Sequence, residues 1–375
     1  MERLRLSRCD VGAEEKAAVM NVLERGYLGM GEDTRAFEVE LESYLGGGRS
    51  VTSVATGCAA LHLALQSCGL KPGDEVLVPS LTFIGCFQAI RAAGAVAVPC
   101  EVVPTTATID MVDAARKITS RTRAIMPVHY AGFLPDSDRV YEVARLHGLR
   151  VVEDAAHAFG GLRNGVRIGS DGDIVCFSFD GIKNITCGEG GCVVTADDRV
   201  RQSVEDARLL GVVRDTAARY EGRRSWEFDV VSPGWRYHMN NIMAAIGRVQ
   251  LTRLESEFIP ARRRLARRYR AGLSAIGGVE TLETDLESVV PHIQPIRVPN
   301  GKRDAVRRAL HDDGIETGLH YRPNHLLTLF GAQRGLLPVT EWLYDELLTL
   351  PLHVGLSDSD VDRVLAVIDK AVELA

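Results

Sequence analysis

Residues 151–161 read VVEDAAHAFGG, and this segment is the most informative one about the fold. It predicts an apolar strand that ends in two acids, Glu153 and Asp154. Ligands of open α/β sheets bind at the carboxyl edge of the strands, so both acids reach the edge where a ligand would lie. Because side chains alternate along a strand, we expect only one acid to face that ligand. A buried acid is tolerated there if the ligand supplies a cation, such as a protonated pyridine ring.

A second stretch, CFSFDGIKNITCGEGG at 176–191, places Lys183 on a loop after a short strand. A lysine amine becomes a nucleophile when it is partly desolvated or condensed into a Schiff base. An aspartate for a pyridine nitrogen and a lysine for an aldehyde are the pair that pyridoxal phosphate requires. The two stretches therefore predict a pyridoxal phosphate site that depends on Asp154 and Lys183.

The phosphate of that cofactor needs its own cradle, and ATGCAALHLAL at 55–65 predicts one. Here the chain passes from strand to helix through Thr56, Gly57 and Cys58. Backbone N–H groups at a helix N-terminus bind phosphate well, and a glycine permits close approach. Ser178, five residues before the lysine, can add a hydroxyl group.

Two ring-bearing side chains complete the candidate site. Phe83, just past a strand end in PSLTFIG, can cover one face of the cofactor, and His157 follows the two acids closely. Each feature taken alone is more often structural, because strand-end acids usually cap helices and single lysines are usually solvated. Their occurrence together, in the chain order phosphate turn, aromatic, acid and lysine, favours the cofactor site.

Outward from these stretches the chain alternates predicted strands and helices. The strands are continuous apolar runs, which is typical of a buried, mostly parallel sheet with helices on both faces. We expect strands at 50–56, 74–80, 95–102, 122–130, 149–155, 173–179 and 191–196, and helices at 13–26, 57–70, 83–94 and 136–148.

The sequence changes character near residue 248. We expect a large cofactor-binding domain over 1–247, in the α/β class, and a smaller α+β domain over 248–375. A long amphipathic helix over 247–277 should join them, with a kink at Pro260. The rest of the small domain is predicted to contain strands at 292–299 and 314–321 and helices at 302–313, 338–348 and 357–373.

Composition restricts the class of protein. A chain of 375 residues exceeds what one core usually supports, which favours two lobes. A net charge of −6 argues against a nucleic-acid or anionic-membrane partner. We read no signal peptide and no apolar run of the ~20 residues that span a bilayer, so we expect a cytoplasmic protein. The eight cysteines form no CxxC pair, so we expect reduced thiols and no metal site.

The motifs resemble those of the DegT/DnrJ/EryC1/StrS family of sugar aminotransferases, which have the fold-type I architecture of aspartate aminotransferase. The resemblance runs from about residue 25 to the C-terminus. It looks closest to the branch that makes UDP-4-amino-4-deoxy-arabinose. The motifs that carry it are LKPGDEVLVPSLTF, RTRAIMPVHYAG, VVEDAAHAFGG, GSDGDIVCFSFDGIKNITCGEGGCVVT and GIETGLHYRPNH.

The resemblance implies a role for each cofactor-binding residue. Lys183 would form the imine with the cofactor aldehyde, and Asp154 would pair with the pyridine nitrogen. His157, where many members have glutamine, would lie near the ring and its phenolic oxygen. Ser178 and the turn at Gly57–Cys58 would hold the phosphate. Many relatives have Thr or Ser in place of the cysteine, and a thiol is a weaker donor.

The resemblance also implies a homodimer whose active sites are completed by the neighbouring subunit. The segment concerned is SPGWRYHMNNIMAAIG at 232–247. Either Arg236 or His238 would reach the neighbouring phosphate, because members often read Asn-Tyr-Arg where this chain reads Arg-Tyr-His. In relatives, the stretch that corresponds to His320, Tyr321 and His325 faces the substrate. These three residues are therefore candidates for substrate binding.

The expected activity is transfer of an amino group from L-glutamate to a keto group, at C4, of a nucleotide-linked keto-deoxy sugar. A 3-keto sugar or a keto-cyclitol is an alternative substrate, and a non-catalytic cofactor-binding regulator is an alternative from another class. Dehydrating family members have histidine at the lysine position, so Lys183 argues against dehydration. A dinucleotide-binding protein is disfavoured, because the first strand–helix turn lacks the three-glycine pattern.

Overall fold

The structure, a computed structural model, describes residues 3–213, 215–223 and 226–374. The outermost residues of the two predicted domains, 1–2 and 375, lie outside the described residues. The seven strands of the main sheet all lie within the predicted apolar runs. The first nine strands in chain order are β1 (Ser50–Val54), β2 (Glu75–Pro79), β3 (Val96–Cys100), β4 (Thr122–Ile125), β5 (Arg150–Asp154), β6 (Leu162–Arg163), β7 (Val166–Arg167), β8 (Ile174–Ser178) and β9 (Gly191–Thr195).

The large lobe is built on a seven-stranded sheet in the order β1-β9-β8-β5-β4-β2-β3. The pairs β8/β5, β5/β4, β4/β2 and β2/β3 are parallel, whereas β9 runs antiparallel to both of its neighbours. The expectation of a mostly parallel sheet is confirmed. The short strands β6 and β7 form a separate hairpin.

Helices cover both faces of this sheet. On β5 and β8 successive residues pack in different cores: Val152 and Ile174 lie in one, Val151 in a second and Val175 in a third. Such alternation follows from the twofold repeat of a strand, so apolar runs bury side chains on both sides. The helices are α1 (Ala13–Arg25), α2 (Glu32–Leu45), α3 (Gly57–Ser67), α4 (Ile84–Ala92), α5 (Met111–Arg116), α6 (Ser137–His147), α7 (Asp198–Ala207), α8 (Asp215–Tyr220) and α9 (Asn241–Arg253).

The predicted long helix over 247–277 differs from the structure in its start and its interruption. Helix α9 begins six residues earlier, where the Asn240 side chain accepts a hydrogen bond from the Met243 N–H at 3.0 Å. A π-helical segment, Leu254–Phe258, then separates α9 from α10 (Ile259–Leu273). Pro260 lies in the first turn of α10, where its missing N–H costs little, so the irregular backbone precedes the proline.

The small lobe contains a three-stranded antiparallel sheet, in which β11 lies between β10 and β12. Its strands are β10 (Glu280–Thr281), β11 (Gln294–Arg297) and β12 (Leu347–Leu350), and its other helices are α11 (Arg303–Asp312), α12 (Pro338–Glu346) and α13 (Asp358–Leu374). The predicted strand at 314–321 is wrong. That stretch makes only isolated bridges, from Ile315 to Leu4 and from Gly318 to Thr349, so no continuous ladder forms.

The two lobes share apolar contacts. Leu4 packs in the core of the small lobe, although it belongs to the predicted large domain, while Leu81 and Leu343 meet in a cluster formed by both lobes. The division at residue 247 stays a prediction. None of the helices in the described residues has the length and apolar content needed to cross a membrane.

Candidate functional site

A cavity of about 500 Å³ lies at the carboxyl edge of the large sheet. Loops after β1, β2, β4, β5 and β8 form most of its wall, and the small lobe adds two residues. This is the edge at which ligands of open α/β sheets bind. The predicted site residues that line it are Gly57, Cys58, Phe83, Asp154, His157, Ser178, Lys183, His320 and Tyr321.

The two acids at the end of β5 point to opposite sides, as strand alternation predicts. Glu153 faces away from the cavity centre, and its Oε2 accepts hydrogen bonds from His129 Nε2 and Arg163 Nη1, both at 2.8 Å. Tyr141 donates its hydroxyl to Oε1 at 2.6 Å. Burial alone would raise the pKa of Glu153, but the bonds and charges of His129 and Arg163 lower this pKa to about 2. Glu153 is therefore a charged structural group.

Asp154 faces the cavity with both carboxylate oxygens already bonded. Its Oδ1 accepts the Ala156 N–H at 3.0 Å, and its Oδ2 accepts the Cys86 thiol at 2.9 Å. The Asp154 main chain bonds Pro127 and His129 at the end of β4. A carboxylate has about four acceptor positions, so free capacity is left for a donor in the cavity.

Lys183 lies in the loop after β8, where its own N–H bonds the Asp180 carbonyl at 3.0 Å. Burial lowers the pKa of the Lys183 amine below its ordinary value, while the charges of Asp154 and Asp180 oppose that change. A lowered pKa increases the fraction of neutral amine, which is the form that attacks an aldehyde or accepts a proton.

The opposite end of the cavity is the N-terminus of α3. Thr56 caps this helix, since its hydroxyl accepts the Ala59 N–H at 3.0 Å. A Cβ added at Gly57 would lie 2.7 Å from Ser178 Cβ and 3.0 Å from Ser178 Oγ. Only glycine therefore leaves this helix terminus open beside a hydroxyl group, as an anion cradle requires.

Aromatic and imidazole groups form the remaining wall. His157 Nδ1 accepts the Ala131 N–H at 3.3 Å, so the ring proton belongs on Nε2, which donates to the Tyr321 hydroxyl at 3.2 Å. Burial and the charge of Lys183 hold the pKa of His157 well below its usual value, so the imidazole is neutral. The Phe83 ring is 50% exposed and lies 5.7 Å from the Tyr321 ring, centroid to centroid.

His320 joins this wall from the small lobe. Its Nδ1 lies 2.9 Å from Thr349 Oγ1 on β12, and burial with the charge of Lys183 lowers the pKa of His320 to about 4. His320 is therefore neutral at ordinary pH, and it adds no cation to the wall.

Three predicted site residues do not line this cavity. His325 is fully buried between Ser80 Oγ, at 2.7 Å, and Glu341 Oε1, at 3.1 Å. Arg236 is exposed on the segment before α9, and His238 on that segment is half-buried. Burial and the charge of Arg236 lower the pKa of His238 to about 4. Nothing in the described residues brings either of them to the cavity of its own chain.

Sequence reasoning missed several wall residues, His129 and Thr82 among them, and one residue directly behind the wall. His129 and Thr82 line the cavity, and Cys86 bonds Asp154 from behind. His129 follows β4 as Asp154 ends β5, so the strand-end rule, applied to every strand, would have found it. No local pattern marks Cys86. Within the described residues, no group of three or more His, Cys, Asp or Glu side chains is arranged to hold a metal ion.

The cavity fits pyridoxal phosphate. It combines an amine of lowered pKa, an anchored carboxylate and a helix N-terminus that a Cβ at Gly57 would fill. Lys183 would hold the aldehyde, Asp154 the pyridine nitrogen, and Gly57 with Ser178 the phosphate. These are the complementary groups for the three polar parts of the cofactor.

Comparisons with known proteins show the family to which the chain belongs. The model of the DegT/DnrJ/EryC1/StrS aminotransferase family matches residues 9–369. The aminotransferase TlmJ from Streptoalloteichus hindustanus is 34% identical, with a TM-score of 0.91, and the match covers 99% of both chains. The sugar aminotransferase CalS13 from Micromonospora echinospora is 32% identical, with a TM-score of 0.88, over 98% of this chain and 99% of that one.

A third solved structure bears on the cofactor. The pyridoxal phosphate form of Spr1654 from Streptococcus pneumoniae, described as a sugar aminotransferase, is 28% identical with a TM-score of 0.91. That match covers 100% of this chain and 99% of the other. The fold class, the cofactor and the enzyme class expected from the motifs are confirmed. The chain belongs to the DegT/DnrJ/EryC1/StrS aminotransferase family, and it is a transaminase that depends on pyridoxal phosphate.

Proposed function

We propose that this enzyme moves the amino group of L-glutamate to the C4 keto group of a nucleotide-linked keto-deoxy sugar. The observation that carries the proposal is that one cavity contains both Lys183 and Asp154. The amine of Lys183 has a lowered pKa, and each carboxylate oxygen of Asp154 accepts a hydrogen bond. Membership of a sugar aminotransferase family supports a keto sugar as acceptor.

In this proposal, different residues of the chain transfer protons and bind the cofactor ring. Bound pyridoxal phosphate supplies an electron sink beside the reacting carbon. Lys183 Nζ is the general base that takes the proton from the α-carbon of glutamate, and it returns a proton to the sugar in the second half-reaction. Asp154 would bind the pyridine nitrogen, and His157 would lie beside the phenolic oxygen. Phe83 would cover a face of the ring and keep water away from it.

The end of the cavity at the N-terminus of α3, here called the phosphate end, would bind the cofactor phosphate and take no part in proton transfer. Backbone N–H groups at Gly57 and Cys58 and the Ser178 hydroxyl would hold that phosphate. Burial raises the pKa of the Cys58 thiol, so this side chain adds no negative charge beside the phosphate.

The acceptor sugar lies against the small lobe in this proposal. His320 and Tyr321 form that side of the cavity wall, and both are neutral at ordinary pH because burial lowers the pKa of the imidazole and raises that of the phenol. Neutral rings and hydroxyls suit an uncharged sugar. A cavity of about 500 Å³ has room for the cofactor and a sugar ring, so the nucleotide would lie outside it.

Assays with a panel of acceptors test this proposal. The protein is incubated with L-glutamate and 4-keto or 3-keto sugars on UDP, dTDP and GDP, with a keto-cyclitol as a further arm. We expect amine formation on a 4-keto sugar, 2-oxoglutarate in equal amount, and ping-pong kinetics. Exclusive use of a 3-keto sugar or a cyclitol would correct the acceptor. Cofactor binding without turnover on any acceptor would leave the non-catalytic regulator as the better account.

We also propose a homodimer with shared active sites. Among the described residues, Lys183 is the only lysine or arginine in the cavity wall, so the phosphate end has no cation of its own. A phosphate dianion is usually bound by charged donors. Apolar side chains are exposed on the segment before α9, with Trp226 at 83% and Val231 at 75%, and exposed apolar patches mark protein contacts. Arg236 or His238 of the partner subunit would supply the missing contact.

Mixed dimers test the sharing. A chain with Lys183→Ala is co-expressed with a chain carrying Arg236→Ala, and doubly tagged dimers are isolated. If Arg236 acts across the interface, one site per mixed dimer has both an intact Lys183 and an intact Arg236. The activity should then be about half that of the parent dimer. A second mixed dimer, with His238→Ala in place of Arg236→Ala, shows which of the two residues reaches the active site of the partner subunit. Recovery with neither variant, or a monomer in solution, would overturn the shared site.

We further propose that the enzyme works in the cytoplasm. All eight cysteines are unpaired in the fold, and unpaired thiols are typical of reducing compartments. Cell fractionation with an antibody to the protein checks this, and recovery in a membrane or secreted fraction would contradict it.

A further inference from the structure

Both oxygens of the Asp154 carboxylate are held, but by groups of different kinds. Oδ1 accepts a backbone N–H, from Ala156 at 3.0 Å, which any residue there except proline would provide. Oδ2 accepts a side-chain donor, the Cys86 thiol at 2.9 Å. The second contact therefore depends on the identity of residue 86, which lies 68 positions away in the sequence.

The thiol of Cys86 acts as a donor in this contact. Its side chain is fully buried, and burial together with the charge of Asp154 raises the pKa of the Cys86 thiol well above its usual value. The proton therefore stays on sulfur and is directed to the carboxylate. The Thr82 hydroxyl, 3.3 Å from the same sulfur, then donates to it rather than accepting from it.

The support behind the thiol is rigid. Cys86 lies in the first turn of α4, where its N–H bonds the carbonyl of Phe83 at 3.2 Å. The Thr82 carbonyl accepts the side-chain amide of the buried Asn324 at 2.8 Å. Residues 82–86 thus bind Asp154, present the Phe83 ring to the cavity and contact a segment of the small lobe. The partial positive charge at the start of α4 also favours the nearby carboxylate.

We propose that Cys86 is a positioning residue, whose thiol fixes the rotamer of Asp154 so that the free lone pairs of the carboxylate meet the pyridine nitrogen of the cofactor. Without this donor, Oδ2 has no protein partner among the described residues and the carboxylate can rotate about its χ angles. An alcohol at the same place can restore the bond, whereas an alkyl group cannot. This inference builds on the cofactor role proposed for Asp154.

Three substitutions at Cys86 separate donor loss from packing. Cys86→Ala removes the donor and leaves space, Cys86→Val removes it and fills the space, and Cys86→Ser keeps a donor. The matched control is Cys100→Ala, because Cys100 is also fully buried in the large sheet but its thiol bonds the Val98 carbonyl. The measurements are the pyridoxal phosphate Kd without any sugar, kcat, KM for glutamate and Tm.

We expect Cys86→Ala and Cys86→Val to bind the cofactor about tenfold more weakly and to lose about tenfold in kcat, with KM for glutamate nearly unchanged. Cys86→Ser and Cys100→Ala should stay within about twofold of the parent. If the alanine variant does not fold, the valine and serine variants decide. Equal cofactor affinity in all variants, a serine variant as weak as alanine, or an equal defect in the control would overturn the role.

The test of Cys86 does not depend on whether the proposed acceptor sugar is correct. Cofactor affinity is measured with no sugar present, so failure of every keto sugar leaves the comparison of Cys86 variants intact. Conversely, identical affinities among those variants would remove the role of Cys86 and leave the aminotransferase assay unaffected.

Discussion

At the end of the cavity around Asp154, here called the ring end, both oxygens of the carboxylate accept hydrogen bonds. At the phosphate end, by contrast, Thr56, Gly57 and Ser178 provide a helix N-terminus and a hydroxyl group but no cation. At the ring end, the donors that hold Asp154 both belong to the same chain. The phosphate end is open, because glycine keeps it clear. We infer that changes at the ring end alter turnover, with or without a loss of cofactor affinity, while changes at the phosphate end alter cofactor affinity alone.

The largest effect is expected from the residue between the two ends. Lys183→Ala removes the amine and should reduce turnover by about 10⁴-fold or more, with loss of the visible absorbance of cofactor bound through that amine. Steady-state rates and absorbance spectra measure this. Lys302→Ala is the control, because its amine bonds the Val372 carbonyl in the small lobe. A Lys183→Ala enzyme with full turnover would refute the site.

The next prediction contrasts the two neighbouring acids of the ring end. Asp154→Asn should lower kcat about 100-fold with little change in the free energy of unfolding, because it weakens the bond to a charged ring nitrogen. Glu153→Gln should instead destabilise the fold by about 3 kcal/mol, since Arg163 and His129 lose a buried charged partner. Kinetics and urea unfolding separate the two. The reverse pattern would mean that Glu153 faces the cofactor.

A smaller effect is expected at the phosphate end. Gly57→Ala places a Cβ 2.7 Å from Ser178 Cβ, which should weaken cofactor binding about tenfold through displaced backbone N–H groups. Activity at saturating cofactor should change little. Gly277→Ala is the control, because no atom lies within 4 Å of its added Cβ. Unchanged cofactor affinity in Gly57→Ala would show that the phosphate binds elsewhere.

The smallest effect concerns pH. Burial lowers the pKa of Lys183 below the usual 10.5, so the neutral amine forms at lower pH than on a free lysine. The rate of cofactor capture by the apoenzyme should rise with pH through a midpoint below 10.5. The unfolded chain keeps its proton to higher pH, so apoenzyme stability should also rise across that interval. Because the charge of Asp154 opposes the shift, Asp154→Asn should move the midpoint lower. An upward move would contradict this electrostatic coupling.

Most elements of the large lobe could be predicted because local patterns specify them. Apolar runs gave the strands, and Gly26, with φ of 74°, ends α1 where the sequence predicts. The small lobe was harder. Residues 347–348 were predicted as the end of a helix, but they form the start of β12 because β11 lies beside them as a partner. A strand depends on its neighbour more than on its own residues.

The succession of strands and helices, the reactive residue types and the opposite orientation of Glu153 and Asp154 could all be predicted from the amino-acid sequence, because periodicity and chain order are local properties. Which side chains meet follows from the folding of the whole chain. The bond between Cys86 and Asp154 and the contact of His157 with Tyr321 join residues far apart in the chain. Such contacts depend on the spatial order of the strands and on how the two lobes pack. The spacing of residues along the chain encodes neither.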